Sequence, residues 1–133
     1  LYLKLRPEQQ VHFELGRAVV AQCGSLITEV LYVKQGETKR FVITDAGMTE
    51  LIRPALYDAY HHIENISSEA EMELYDVAGP ICESSDVFGK DVLLNRTNRG
   101  DKLAIRSAGA YGEVMASRYN LRQLPYAVFS DDL

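Results

Sequence analysis

The sequence predicts a mainly β domain, a Greek-key barrel or sandwich with short helices, on three observations. Runs dense in β-branched and aromatic residues recur at strand length, turn-forming residues separate them, and only two stretches read as helical. Residues 26–33 (LITEVLYV) and 40–44 (RFVIT) are the clearest strands, and Gln35-Gly36-Glu37-Thr38 between them makes a hairpin. Apolar runs at 11–13, 18–21, 72–77, 102–105 and 126–129 extend the set, and Cys23 reads as a core residue of an apolar strand.

Residues 54–61 open on Pro54, which suits a first helical turn because its missing N–H would be unpaired there. His61 and His62 end this helix. They are adjacent and point in different directions, so an interaction with the helix C-terminus accounts for them better than a shared metal. Residues 110–119, with Val114 and Met115 on an apolar side, are the second helix. No repeat or linker divides the chain. Residues 1–17, amphipathic and ending at a Gly16-Arg17 turn, read as the last piece of another structural unit, and 18–133 as the β domain. An opening on Leu1 rather than Met suggests a fragment, and the polar turn after Leu3 is unlike a signal peptide.

Composition excludes several classes. Of 133 residues, 47% are hydrophobic and 25% charged, which disfavours disorder. A net charge of −5 disfavours general electrostatic binding to nucleic acid or anionic membranes. No apolar run approaches the roughly 18 residues that span a bilayer. The two cysteines, Cys23 and Cys82, match no metal-ligand spacing, and so few predict free thiols in the cytoplasm.

Several short motifs carry chemistry, each beside a plainer reading. In Glu14-Leu15-Gly16-Arg17, glycine permits close backbone approach, exposed N–H groups can cradle a phosphate, and arginine can grip a carboxylate. The plainer reading is a turn with a surface arginine. Arg53 and Tyr57, four apart, share a helix face and can bind an anion together, or be a solvated cation and a half-buried ring. Cys82-Glu83, behind Gly79-Pro80, sets a thiol that can donate a proton beside a carboxylate, or packs a small apolar residue in a loop. Ala108-Gly109-Ala110-Tyr111-Gly112 leaves room for a flat ligand against Tyr111, or is a tight turn around a packed ring.

Taken in order, Glu14-Leu15-Gly16-Arg17, Asp45-Ala46-Gly47-Met48, Arg53-Pro54-Ala55-Leu56-Tyr57, Gly79-Pro80-Ile81-Cys82-Glu83-Ser84 and Ala108-Gly109-Ala110-Tyr111-Gly112 resemble the C-terminal half of the diaminopimelate decarboxylases. The resemblance runs over nearly the whole chain and is most specific at the Arg-Pro-Ala-Leu-Tyr and Cys-Glu-Ser runs. It implies an alanine-racemase-like enzyme in which an N-terminal (β/α)8 barrel holds pyridoxal 5'-phosphate on a lysine and a β domain completes the site. It also implies a homodimer with shared active sites that converts meso-diaminopimelate to L-lysine and CO2. Residues 1–17 are then the end of the barrel, and this chain alone is expected to be inactive.

By position, the resemblance assigns Glu14, Gly16, Arg17 and Tyr111 to the cofactor. It assigns Arg17, Arg53, Tyr57, Glu83 and Tyr111 to the substrate, and makes Cys82 the proton donor, reaching the partner subunit's site. A substrate with a second amino-acid end needs a cation and an anion, which Arg53 and Glu83 supply. The chain departs from the family pattern at Leu15, usually proline, and at Ser85, usually glycine. Related decarboxylases of ornithine, arginine or carboxynorspermidine act on substrates with no carboxylate, or a different group, at that end. A β domain that binds a ligand without chemistry is the other alternative.

Overall fold

The expected hairpin forms the middle of the sheet. In the computed structural model, which describes residues 4–132, β1 (Leu26–Gln35) and β2 (Arg40–Thr44) pair antiparallel. Their register shifts between Val30 and Tyr32. Up to the shift β1 alternates, with Thr28 and Val30 buried and Ile27 exposed; beyond it the strand is largely solvated. Four further strands, β3 (Ile63–Asn65), β4 (Met72–Ala78), β5 (Val87–Asn95) and β6 (Lys102–Ile105), give a six-stranded sheet in the order β3-β6-β1-β2-β4-β5.

The sheet curls until its outer strands face each other. A Cβ on Gly89 of β5 would lie 3.6 Å from Ile63 Cδ1 of β3. Asn65 Nδ2, also on β3, donates to Thr97 Oγ1 just beyond β5 at 3.1 Å. Side chains, not a backbone ladder, thus bring the barrel near closure. Val30, Val42, Val77, Leu94, Leu103 and Ile105 form its interior with Tyr75. The buried Tyr75 hydroxyl donates to Glu73 at 2.7 Å and accepts from the Thr97 N–H at 3.2 Å, which replaces the water it lost. Pairing is antiparallel except between β2 and β4. A parallel pair needs a long crossover, here residues 45–71, which carry α2 (Arg53–Tyr57) and β3.

Several local expectations fail for identifiable reasons. Residues 11–13 form no strand. Residues 18–21 form none either: α1 (Arg17–Val20) runs into a 3-10 turn, Ala21–Cys23. Val19 and Val20 are exposed, so the apolar run does not face the core. Cys23 is exposed too, its thiol donating to the Val20 carbonyl. Residues 126–129 form no strand, and no strand among the described residues pairs with them. The stretch 110–119 holds only the 3-10 turns Glu113–Met115 and the start of Tyr119–Leu121, because Tyr111 sits at φ +59°. Helix α2 stops at Tyr57, since Asp58 turns left-handed at φ 52°. His61 is therefore off the helix and buried, its Nδ1 2.9 Å from the Arg106 carbonyl. Strands β3 and β5 had no counterpart in the sequence reading. Gly89-Lys90-Asp91 interrupts the apolar run, and β5 absorbs it as an irregularity with Asp91 at φ 52°. The N–H of Asp91 is bound by Asp76 at 2.8 Å.

One backbone contact joins the ends of the domain. Ala108 N–H donates to the Gly24 carbonyl and Gly109 N–H to the Ala21 carbonyl, both at 2.9 Å. A Cβ on Gly24 would lie 2.7 Å from Gly109 Cα, and one on Gly109 2.7 Å from Gly24 N, so neither position tolerates a side chain without movement. This clasp ties α1 to the Tyr111 loop. Gly109→Ala is expected to cost roughly 1–3 kcal/mol, the range for overpacking. Urea denaturation measures that loss, and faster amide exchange at Ala108 localises it to the clasp.

Candidate active site

Arg53 opens α2, with Pro54 in its first turn and no side-chain cap. Its guanidinium lies 5.2 Å from the Tyr57 ring centre and 5.8 Å from that of Tyr111. The helix supplies the first contact through its four-residue spacing, and the clasp supplies the second by holding the 108–112 loop against it. Arg53 Nε is buried without a hydrogen-bond partner. Among the described residues no carboxylate pairs with Arg53. A guanidinium held by two aromatic faces, with a donor unmet, is prepared for an incoming anion. Tyr111 is held left-handed, a conformation that costs a non-glycine residue on the order of 1–3 kcal/mol and that clusters at ligand sites.

Cys82 and Glu83 lie on a separate loop between β4 and β5. Its backbone is bound internally, Glu83 N–H to the Ile81 carbonyl at 2.8 Å and Asp86 N–H to the Glu83 carbonyl at 3.1 Å. The buried Asp86 carboxylate accepts from the Ile81 N–H and from the Met48 N–H, each at 2.6 Å. Burial pushes the Asp86 carboxyl above its usual range, and the two N–H groups pull it back. Gly47 and Gly79 make room for it: a Cβ on Gly47 would come within 2.8 Å of a carboxylate oxygen, and one on Gly79 would collide with the carboxylate outright. Ser85 is not among the positive-φ residues, so serine fits where the family usually has glycine.

Both Cys82 and Glu83 are exposed. The Glu83 carboxylate accepts a hydrogen bond from the Tyr119 hydroxyl, and that contact raises the phenol above its ordinary pKa. Gly16 caps the start of α1, facing open space, and Arg17 follows it. Glu14 and Arg17 are exposed, and among the described residues no hydrogen bond or ion pair holds either side chain. The structure thus brings together Arg53, Tyr57 and Tyr111. It puts Cys82 and Glu83 on a second element; among the described residues no hydrogen bond or ion pair joins the two groups. Gly16 and Arg17 stand apart at the start of α1, and among the described residues no hydrogen bond or ion pair joins either to the Arg53 group. Sequence reasoning missed Asp86 and Tyr119. The paired Gly47 and Gly79 were the visible trace of Asp86, whereas nothing local marked Tyr119.

The family model for "Pyridoxal-dependent decarboxylase, C-terminal sheet domain" matches residues 18–109. This chain belongs to that family. The decarboxylase sheet domain is 70% identical to diaminopimelate decarboxylase of Bacteroides thetaiotaomicron over 98% of the chain. It is 54% identical to the enzyme of the same name from Helicobacter pylori over 82%. The chain spans only 34% and 27% of the length of these relatives. Among solved structures, diaminopimelate decarboxylase from M. jannaschii superposes with a TM-score of 0.80 at 47% identity, over 83% of this chain and 25% of that one. A lysine/ornithine decarboxylase from Vibrio vulnificus complexed with cadaverine superposes with a TM-score of 0.73 at 25% identity, over 82% of this chain and 30% of that one. No helix among the described residues is long and apolar enough to cross a membrane.

If Asp86 holds the Cys82 loop, Asp86→Asn sets an amide NH2 against one of the two N–H donors and loosens it. The expected cost is about 1–3 kcal/mol, the penalty for leaving buried donors unmet. Hydrogen exchange should accelerate at Met48 and Ile81 ahead of the barrel strands; equal protection in variant and parent would show that the carboxylate is dispensable.

Proposed function

We propose that this chain supplies the C-terminal half of the active site of a diaminopimelate decarboxylase, and that it is inactive without a (β/α)8 barrel whose final segment is residues 1–17. Residues 1–3 of that segment lie outside the described part of the chain. The observation that carries the proposal is Arg53: a half-buried, unpaired guanidinium between two tyrosines, in a chain that also presents a carboxylate at Glu83. Meso-diaminopimelate has a second amino-acid end, and that pair matches its carboxylate and ammonium. Ornithine has no far carboxylate to satisfy Arg53.

The remaining roles follow from the side chains. Arg53 grips the far carboxylate through parallel N–H donors, while Tyr57 and Tyr111 restrict where the guanidinium can point. Glu83 accepts from the far ammonium. The Cys82 thiol holds the proton that takes the place of the lost carboxylate. Gly16 and Arg17 fit the phosphate of pyridoxal phosphate, because the glycine faces open space beside an unpaired cation, with Glu14 next to them; Tyr111 offers a ring to the cofactor's face. The cofactor, when bound, is the sink for the electron pair that departing CO2 leaves behind. The exposure of Cys82 and Glu83, with no hydrogen bond or ion pair to Arg53 among the described residues, fits a homodimer in which this loop completes the partner subunit's site. The two free cysteines, Cys23 and Cys82, fit an enzyme of the reducing cytoplasm.

In the full-length enzyme, Cys82→Ala is expected to lower kcat about 10²–10⁴-fold, the contribution of a positioned acid, with KM nearly unchanged. Near-normal turnover would leave the thiol as packing. Arg53→Lys keeps the charge but loses the planar fork, so the KM for diaminopimelate should rise. Parallel assays on diaminopimelate and ornithine test the substrate itself: activity confined to ornithine would overturn the reading.

A further inference from the structure

We propose that Tyr119 is a positioning residue for Glu83: its hydroxyl donates to the Glu83 carboxylate and aims it at the ammonium at the far end of the substrate. The inference rests on the substrate assigned above. Glu83 sits on an exposed loop, and a glutamate side chain left to itself samples many rotamers. Among the described residues, the Tyr119 hydroxyl is the hydrogen-bond partner of its carboxylate.

Tyr119 is itself held. Ser117 N–H donates to the Thr49 carbonyl at 2.9 Å. Arg122 pairs with Glu50 at 3.3 Å and also donates to the Asp45 carbonyl. Asn120 and Leu121 are both left-handed, at φ 56° and 59°, which folds the segment back after the tyrosine. The tyrosine therefore hangs from the 45–50 turn. The Glu83 loop hangs from the same turn through Asp86 and the Met48 N–H. Donor and acceptor are thus referenced to one rigid element. Met48, Thr49, Ile52, Glu83, Ser117 and Tyr119 line a single cleft. A single phenol donor occupies one lone pair of the carboxylate and leaves the others for an ammonium. Glu83 makes the phenol harder to ionise, so Tyr119 remains a donor.

The test is steady-state decarboxylation of diaminopimelate by the full-length enzyme carrying Tyr119→Phe, Glu83→Gln, or both. Tyr119→Phe should raise KM about tenfold, the worth of one hydrogen bond to a charged group, with kcat within about twofold of the parent. The double variant should be no worse than Glu83→Gln alone, because the tyrosine acts only through that carboxylate. An unchanged KM, a fall in kcat without a rise in KM, or effects that multiply in the double variant would each overturn the proposal. A parent that does not decarboxylate diaminopimelate would overturn the functional reading, and this proposal with it. An active parent with an indifferent Tyr119→Phe overturns this proposal alone.

Discussion

The Asp86 carboxylate lies 3% exposed between two turns that are distant in sequence. Taking a carboxylate out of water is costly unless donors replace the water, and here the Met48 and Ile81 N–H groups do so. The charge can sit there only if both turns approach it, and they approach only because Gly47 and Gly79 carry no Cβ. Burial and hydrogen bonding act together as a length constraint between the 45–50 turn and the 79–86 loop. The turn repeats the device: Asp45 binds the Glu29 N–H and the Thr28 hydroxyl, and Glu50 binds the Gly47 N–H. Arg122 lies over the same turn and offsets the accumulated negative charge.

A second constraint works with neutral atoms. At Gly24 and Gly109 two backbones meet at a separation that no side chain permits, joining the first helical turn to the loop that follows the last strand. The joined loop presents Tyr111, in a strained backbone conformation, to a guanidinium. Strain at Tyr111 and an unmet donor at Arg53 are both unfavourable in the chain by itself. Their meeting at one place is what a ligand-binding half-site requires.

The barrel and the site divide the work. The interior is apolar apart from groups such as Tyr75 and Asn65 whose polar atoms are matched, and it fixes where the loops begin. The functional groups stand outside it. Arg53 is at a helix start, Tyr111 and Tyr119 follow the last strand, and Cys82 and Glu83 lie between strands. Loops on a rigid frame can carry such groups without exposing the core.

The sequence by itself determined the parts whose cause is local. The 26–44 hairpin follows from two runs dense in β-branched and aromatic residues and the turn chemistry between them, and Arg53 and Tyr57 share a face because they are four residues apart on a helix. The order of motifs sufficed to indicate the family, since residue type along the chain is all that such a likeness needs. What the sequence did not disclose had distant causes. Strand β5 hides behind Gly89-Lys90-Asp91, which is held in the sheet by Asp76 from a neighbouring strand. Val19 and Val20 form no strand, because the clasp with Gly109 takes up the chain just beyond them. Tyr111 reaches Arg53, and Tyr119 reaches Glu83, only after loops far apart in sequence have been anchored. Tertiary structure decided these contacts, because a side chain's partner across a gap in sequence depends on where the backbone is pinned, and here it is pinned by a buried carboxylate and a pair of glycines.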